Sequence, residues 1–555
     1  MEKLRKILEV TFALLSIFFA VIALARFFHK SDDSQEKYKP LPPAKSDIKW
    51  GSQMLSESRR TTRLVLFNVD EKDNADEFFQ NILDLKNDTQ LEELLRDNYI
   101  TVTLNRHAWP ADFAVFDCLL YAKNNKQMML KYGILSPRMR PIFLSPHTKD
   151  SSKNDDTFRP LAIAAAQQFR ENKHKMLKES LNSVRIIYNP ENFKSTTIEA
   201  PYIPRLSFLN AESVALLSYF SNPNNNNAPA GVFTENARLA MRISATDLRQ
   251  VAAQRAAFLA ARTMFARLNN PNSEFSEKLL MARALAEYGM CINDNALIEN
   301  LKKFANKIIE NKTPEGLFRE GNNLPLVRHN AIAVGFLTRL YFSTDEKKFY
   351  NAAKTSMDNL AEMAKVYGEM PAIADKSVPS QASSIEYGLL ARALCDMHYA
   401  SKDKKYLDLI KKCMEEWNDF YMTPIGIWSI NSENSISSNY ARPIIMDDTR
   451  YPSYVGLASQ VMAYLNQNDP FYRLPNGAKI RRIAASAYTY SMLGTSTNAS
   501  LKLSFFMFKN KESPAAVAMP KVYYNYDLYD IDEDNTNSKN DKKTSNYNRR
   551  NFPIY

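Results

Sequence analysis

The sequence predicts a multi-domain chain: an N-terminal transmembrane helix, an α/β domain, and then an all-α (α/α) toroid of helical hairpins. Three observations carry that prediction: an apolar run near the N-terminus, a strand–helix–strand pattern from Thr61, and a helical pattern that recurs after 57 residues in the second half. At 555 residues the chain is longer than one core organises, since domains average about 100–200 residues. Hydrophobic residues make up 45% and charged residues 24%, enough apolar surface for most of the length to fold.

The first element is residues 1–30. Lys3, Arg5 and Lys6 precede an apolar run from Val10 to Ala25 that Phe27 and Phe28 prolong. A spanning helix needs about 20 mainly apolar residues, and Leu8 to Phe28 reaches that only by including Glu9 and Arg26, whose long side chains can snorkel. Two readings fit. One is a single-pass anchor with the soluble body on the extracytoplasmic side, periplasmic or extracellular. The other is a signal peptide cleaved after Ala25, giving a secreted protein, because Ala23-Leu24-Ala25 supplies the small residues a signal peptidase accepts. Residues 31–58, which open on a charged, proline-containing stretch, read as a linker.

The net charge of +11 comes from 72 basic against 61 acidic residues scattered along the chain. No aromatic-studded basic stripe is present, which argues against a nucleic-acid partner and leaves attraction to anionic lipid or polymer. Cys118, Cys291, Cys395 and Cys413 form no C-x-x-C pair, so neither a zinc ribbon nor a dithiol redox centre can be written. A Cys395–Cys413 bridge is geometrically possible between paired helices, while partly apolar cysteines are more often plain core residues. The six histidines are dispersed without an H-x-x-x-H spacing, so no metal and no cofactor is expected.

Residues 59–190 form the α/β domain. Arg63–Val69 and Tyr99–Leu104 are rich in aliphatic and β-branched residues and predict strands, with a helical pattern over Asn74–Arg96 between them. Another helix is predicted around Asp117–Tyr132 and another strand from Pro141. The run Lys131-Tyr132-Gly133-Ile134, a short loop, then Pro141-Ile142-Phe143-Leu144 resembles the stretch of the thioredoxin superfamily that carries its cis-proline. That resemblance implies a cis Pro141 facing the site, accepted at about 0.5–1 kcal/mol; the alternative is a trans proline that merely starts a strand. Where that superfamily places W-C-x-x-C, so that a helix N-terminus lowers the thiol pKa, this chain has Asp70-Glu71-Lys72-Asp73-Asn74-Ala75-Asp76. Without a thiol there, no disulfide exchange can run, and the domain is expected to bind or pack.

Residues 200–525 form the toroid. Leu337-x-x-Leu340-x-Phe342-x-Thr344-x-x-Lys347-Lys348-Phe349 is matched 57 residues later by Leu394-x-x-Met397-x-Tyr399-x-Ser401-x-x-Lys404-Lys405-Tyr406. The match continues in Met357 with Met414 and Leu360 with Trp417, and a weaker copy runs from Leu280 to Ile309. Each copy is a helix, a turn and a second helix, with Ser343-x-x-Glu346 read as the capping box of one second helix. Such hairpins bury their apolar faces only by stacking on neighbours. Gly-aromatic segments at Gly316 and Gly426 and room for about five or six hairpins favour a closed ring over an open solenoid. Short strands are predicted around Lys502–Phe508 and Lys521–Tyr524, and residues 526–555, rich in Asn, Asp, Lys, Ser and Tyr, read as a disordered tail.

Together these blocks resemble the YyaL-type (spermatogenesis-associated) thioredoxin-domain family, in which a thioredoxin-like domain precedes an (α/α) toroid similar to N-acylglucosamine 2-epimerases and six-hairpin glycosidases. The segment Ala441 to Ser453 looks like that family's R-P-K-x-x-x-D-G-A-x-P-S-G-N-S, with Arg442, Pro443, Asp448, Pro452 and Ser453 keeping the pattern. Tyr454-Val455-Gly456 departs from its Gly-Asn-Ser, and the helix from Ser276 lacks its Trp-Asn pair, so the resemblance implies a divergent member.

In a helical toroid the inner helices start at one mouth, so polar residues at those starts converge on a cleft. Four starts stand out: Glu274 with Glu277; Arg328 with His329; Ser383, Ser384, Glu386 and Tyr387; and Asp447, Asp448, Arg450 and Tyr451. Asp448, Glu386 and His329 are the catalytic candidates, since paired carboxylates suit hydrolysis and a histidine suits the proton transfer of an epimerisation. Arg328, Arg442, Tyr387 and Tyr451 are the substrate-binding candidates. The same residues also suit helix caps and hairpin salt bridges, because acids near helix N-termini are stabilising without catalysing. His329 is the only histidine on such a start, and His398, which aligns with Tyr341, is read as packing, so a two-histidine epimerase site is hard to assemble. The leading expectation is a membrane-tethered, non-redox binding or scaffold protein of the cell envelope that holds a glycan or an envelope protein. The alternative is a carbohydrate-active enzyme, a sugar epimerase or glycoside hydrolase, working in the toroid cleft.

Overall fold

The computed structural model describes residues 48–71, 75–82, 89–124, 130–146, 158–178, 206–246, 249–292, 294–367, 369–424, 426–439, 441–469, 471–472 and 496–510. No helix among them is long and apolar enough to cross a membrane. The expected anchor at 1–30, the strand at 521–524 and the tail at 526–555 lie outside the described residues.

The fold begins earlier than the predicted linker allows. Trp50 and Met54 are buried, and a helix α1 (Ser52–Thr61) leads into the sheet. Trp50 packs edge-on against Phe67 and Phe116 at 5.4 and 6.0 Å and donates its indole N–H to Asp112 at 2.9 Å. One indole thus secures residues the sequence pattern assigned to a linker.

Next come β1 (Leu64–Asp70), α2 (Ala75–Ile82), α3 (Thr89–Asn98), β2 (Tyr99–Asn105), α4 (Pro110–Asn124), β3 (Leu130–Leu135), β4 (Pro141–Pro146) and α5 (Phe158–Glu171). The sheet order is β2-β1-β3-β4; β1 and β2 are parallel and the other neighbours antiparallel. Two predicted boundaries change. The helix expected over 74–96 is two helices, and the one expected over 117–132 starts at Pro110 and gives way to β3. Leu130 to Leu135 is a short, mostly buried apolar run, which a strand accommodates in six residues. Gly133 is required there, since an added Cβ would stand 2.7 Å from the Phe143 carbonyl and 2.8 Å from the Phe67 ring.

The implied cis bond at Pro141 is corrected: no described peptide bond is cis. Because Lys131–Leu135 is itself the strand beside β1, Pro141 falls at the first residue of the edge strand, where its missing N–H is tolerated. A tight turn joins the two strands, with Met139 at φ 61° and the Ser136 N–H donated to the Arg140 carbonyl at 2.8 Å.

The helical part comprises α6 (Leu206–Ser221), α7 (Ala230–Thr246), α8 (Val251–Asn269), α9 (Phe275–Ile292), α10 (Asn295–Glu310), α11 (Val327–Thr344), α12 (Lys347–Tyr367), α13 (Ser384–Ser401), α14 (Lys404–Tyr421), α15 (Tyr454–Asn468) and α16 (Ala499–Asn510). Helices α7, α9, α11, α13, α15 and α16 each pack on the next, and α16 returns to α7, so the ring is closed: an (α/α) toroid. Helices α8, α10, α12 and α14 lie outside it. The outer helices bury one face, as in α14, where Tyr406, Ile410, Cys413, Met414, Trp417 and Tyr421 recur at helical spacing. The inner ones are enclosed nearly all round, as in α15, buried without a break from Tyr454 to Leu465. The 57-residue repeat is the step from α11 and α12 to α13 and α14, including the left-handed caps Asp345 (φ 57°) and Lys402 (φ 56°).

Two further expectations are overturned here. Residues 502–508 are not a strand but lie in α16, the helix that closes the ring. Ser343 caps nothing, because α11 runs on to Thr344 and the Ser343 hydroxyl donates back to the Arg339 carbonyl at 3.2 Å. The capping box belongs instead to Ser383 and Glu386 at the start of α13.

Charges cross the centre of the ring. Glu235 on α7 pairs with Arg238 (2.7 Å) and with Arg392 on α13 (3.1 Å); Arg238 also pairs with Glu287 on α9 (2.8 Å). Asp396 on α13 joins Arg283 on α9 (2.8 Å) to Arg339 on α11 (3.1 Å). Since α7 and α13 stand three places apart in a ring of six, the Arg392–Glu235 pair spans the bore. All seven side chains are buried, and their mutual pairing offsets their desolvation.

The α/β unit sits over the end where the inner helices start. Asp112 on α4 accepts the Ser437 N–H at 2.9 Å through one oxygen and the Trp50 indole through the other, and the Gln381 N–H donates to the Ala108 carbonyl at 2.9 Å.

Candidate active site at the toroid mouth

Between the two units lies a cleft of about 1990 Å³. Its toroid wall consists of helix starts and the loops before them: Glu274, Phe275 and Ser276 before and at the head of α9, Arg328 and His329 at the head of α11, and residues 441–454 ahead of α15. The opposite wall is the C-terminal end of the parallel strands β1 and β2, carrying Glu71, Asn105, Arg106 and His107, together with α4. Ligands of α/β sheets gather at that end of the strands, because the loops diverge there and leave a crevice.

The α/β wall is pre-ordered. Asn105 accepts the N–H groups of His107 (2.9 Å) and Ala108 (3.0 Å) and donates to the Glu71 carbonyl at 2.8 Å. One Glu71 oxygen is shared by Arg106 (2.6 Å) and the His107 Nε2 (3.0 Å). Arg106 chiefly holds the Glu71 carboxyl below the usual range, and burial chiefly lowers the His107 pKa, with Arg328 adding to it and Glu71 opposing.

On the toroid wall Arg328 lies over the Tyr451 ring at 5.5 Å, and its Nε stands 3.0 Å from the Glu386 carboxylate. That approach lacks hydrogen-bond alignment, and Nη2 has no hydrogen-bond partner among the described residues. His329 stands edge-on to Phe275 at 5.4 Å. Burial, then Arg328 and His107, press its pKa down to about 3, so it is neutral at pH 7 and a weak base until negative charge is brought beside it. Arg450 pairs with Glu274 and lies 5.8 Å from the Tyr451 ring.

The remaining candidates divide. Asp448 borders the cleft but is 1% exposed, with its two oxygens accepting the N–H groups of Ser453 (2.7 Å) and Ser500 (3.0 Å). It fastens the start of α15 to the start of α16, and burial pushes its pKa up to about 7. Asp447 accepts the Thr497 hydroxyl at 2.8 Å. Arg442 borders the cleft and donates to the Phe420 carbonyl at 2.9 Å. Glu386 is fully buried in its capping box, accepting the Ser383 N–H at 2.7 Å and hydroxyl at 2.5 Å, and does not line the cleft. Tyr387 points the other way, into the packing of α13 on α14: its hydroxyl accepts the Met370 N–H at 3.0 Å and its ring stacks on Trp417. As a substrate-binding residue Tyr387 is therefore corrected to a core residue. Glu277 pairs with Arg267 at 2.6 Å, and Ser384 receives the Trp417 indole at 2.9 Å. His398 packs as expected, against the Tyr464 hydroxyl at 2.5 Å.

Sequence reasoning missed Glu71, Arg106 and His107. A usable sign existed, a charged Arg-His pair directly after a strand that is parallel to its neighbour. Cys118 lines the cleft, and burial, then Asp117, raise its pKa to about 11, so at neutral pH it is a thiol. Cys395 and Cys413 are buried and unbridged. Among the described residues no group of three or more His, Cys, Asp or Glu side chains is gathered to hold a metal.

No family model matches the sequence, and no curated protein matches it. Among solved structures the chain is similar to cellobiose 2-epimerase from Bacillus thermoamylovorans, at 13% identity over 52% of this chain and 88% of that one, with a TM-score of 0.41. It is similar to a D-mannose isomerase at 12% identity over 52% and 88%, with a TM-score of 0.40. A GH76 α-mannanase of Bacteroides thetaiotaomicron aligns at 12% identity over 56% and 96%, with a TM-score of 0.39. Any chemistry has to follow from this chain's own side chains.

Proposed function

We propose that the cleft is a carbohydrate site and that its chemistry is the proton transfer of a sugar epimerase or isomerase. The observation that carries this reading is the pair His329 and His107, one on each wall of a single cleft, near enough for charge on His107 and Arg328 to depress the His329 pKa. The His329 imidazole takes the C2 proton of an open-chain aldose, its depressed basicity restored by the negative charge that develops beside it. The electron pair moves into a C1–C2 double bond, and the charge that develops on O1 is met by Arg328 and the start of α11. Passing the O2 proton to O1 and returning the abstracted proton to C1 from His329 lets the electron pair re-form a carbonyl at C2 and gives a ketose. Delivering a proton to the opposite face of C2, from the minor protonated form of His107 that Glu71 favours and burial opposes, gives the epimer.

Hydrolysis by paired carboxylates is the weaker reading, because Glu386 and Asp448 are occupied by backbone N–H groups. The same observation favours the second reading, a binding scaffold in which the cleft holds a glycan without turning it over. The α/β unit we read as a non-redox thioredoxin-like domain, supported by the β2-β1-β3-β4 order with β1 parallel to β2. Membership of the YyaL-type family is supported by Arg442, Pro443, Asp448, Pro452 and Ser453. Tethering to a membrane, with the body outside the cytoplasm, is proposed from residues 1–30 alone.

The deciding experiment incubates the full chain with free aldoses in deuterium oxide and follows C2 by proton NMR. Exchange that is lost in His329→Gln and reduced in His107→Gln supports the enzyme. Saturable sugar binding with no exchange on any aldose sinks it in favour of the scaffold.

A further inference from the structure

We infer that the sugar this cleft receives is acylated. Its free reducing end lies at His329 and His107, and a fatty-acyl chain on the far side of the sugar lies along α4, between Phe113, Ala114 and Cys118 on one wall and Ile385, Ile444 and Ile445 on the other. The inference rests on the carbohydrate reading above and adds the substrate class; C1, C2 and O1 stay with the groups already assigned to them.

The cleft has two halves. In one, at the ends of β1 and β2, stand Glu71, Arg106, His107, Arg328 and His329. The other follows α4, whose residues Phe113, Ala114, Asp117 and Cys118 recur at helical spacing and turn one face to the cleft. Its toroid side is Ile444 and Ile445, with Ile385 at the head of α13. Tyr454 links the two sides: its hydroxyl accepts the Ile445 N–H at 2.7 Å, and Cys118 stands near enough to add to the rise that burial gives its pKa.

The six side chains named for the acyl chain are half-buried, so both walls keep apolar surface open to the cleft. Contiguous apolar surface of this kind marks a binding site. Nearby polar side chains are engaged elsewhere: Asp117 accepts the Leu130 N–H at 3.4 Å, and Arg442 donates to the Phe420 carbonyl at 2.9 Å. Three isoleucines offer a second sugar ring neither hydrogen bonds nor a flat aromatic face, whereas they pack hydrocarbon at no polar cost. The volume of about 1990 Å³ exceeds the roughly 300–1,000 Å³ usual for a small-ligand pocket, so a lone hexose leaves this half unfilled. From Pro110 to Cys118 the helix rises about 12 Å, which is the run available to the chain beyond the sugar.

The polypeptide also enters on this side. Trp50 donates to Asp112 on α4, and Gly51 lies against the Trp109 ring just ahead of that helix. About 17 residues separate Ile48 from the proposed membrane segment, and even fully extended they reach no more than about 60 Å. The tether proposed above therefore holds the apolar half near a bilayer surface, where acylated sugars partition.

Isothermal titration of the full chain with glucose, mannose and galactose, with their 6-O-butanoyl and 6-O-octanoyl esters, and with octanoate alone, all below micelle-forming concentrations, tests this. On at least one sugar, affinity should rise about two- to fourfold per methylene, so that the octanoyl ester binds at least about tenfold tighter than its parent. Octanoate alone should bind far more weakly than the ester. Ala114→Glu and, separately, Ile444→Glu should each reduce the ester to the affinity of the parent sugar; the two residues lie on opposite walls, so one variant decides the matter if the other fails to fold. Equal affinity for parent sugar and octanoyl ester overturns the inference and leaves the carbohydrate site standing. Octanoate binding as tightly as the ester, or a chain-length effect that survives in both variants, overturns the placement of the chain. No binding of any sugar or ester overturns both readings.

Discussion

Asp396→Ala isolates the energetics of the charged bore. The carboxylate is fully buried and accepts Arg283 at 2.8 Å and Arg339 at 3.1 Å. Arg339 keeps Glu287 at 3.5 Å after the change, whereas Arg283 loses the one carboxylate it touches among the described residues. Burial and then Arg392 already lower the Arg283 pKa to about 9, with Asp396 opposing them, so removing Asp396 leaves a guanidinium facing burial and other cations alone. Breaking a buried pair in this way costs about 3–5 kcal/mol. For a domain of this size that corresponds to a fall in Tm of about 6–10 °C. Thermal unfolding of the full chain followed by circular dichroism at a helical wavelength reads it out. The pair itself need not be worth so much, because replacing both partners by apolar side chains of similar volume is often neutral. The double variant Arg283→Met with Asp396→Leu should therefore recover most of the loss. A fall of less than about 2 °C for Asp396→Ala, or a double variant no better than the single one, would refute the dry network.

Gly231→Ala places a methyl group against the backbone of Tyr451 and Pro452, where Gly231 donates its N–H to the Arg450 carbonyl at 3.0 Å. A loss of about 1–3 kcal/mol is expected, together with weaker sugar binding because Arg450 and Tyr451 shift; calorimetry and ligand titration that show neither would contradict the packing. Asp448→Asn tests a raised carboxyl. The folded pKa, about 7, lies above the unfolded value of about 3.9, so the group's contribution is complete below about pH 4 and is lost as the pH rises through 7. The variant should flatten the dependence of Tm on pH across that window relative to the parent; parallel profiles would show that Asp448 does not titrate there.

Several parts of the fold were legible because they are local. The strands β1 and β2 show as aliphatic runs, and the hairpin repeat shows because α12 and α14 bury one face at helical spacing. Misreadings arose where a short apolar run fits two periods. Lys131–Ile134 is strand rather than the end of a helix, and Lys502–Phe508 is helix because the ring needs a sixth inner member beside α7. Ser343 and Ser383 present the same capping pattern, and only the point where α11 stops tells them apart. At the site, helix starts brought Arg328, His329 and Tyr451 to one mouth, but neighbours in sequence parted: Glu386 was drawn into its cap and Tyr387 into the core.

By itself the sequence determined the longer periodic elements and their repeat, since periods of 2 and 3.6 residues are written within one strand or helix. Tertiary structure alone decided that the ring closes, that Glu235 meets Arg392 from 157 residues away across its axis, and that Glu71, Arg106 and His107 face His329. The physical reason is that such pairings depend on how helices and sheet pack on one another, and the side chains that meet carry no mark of each other in the chain.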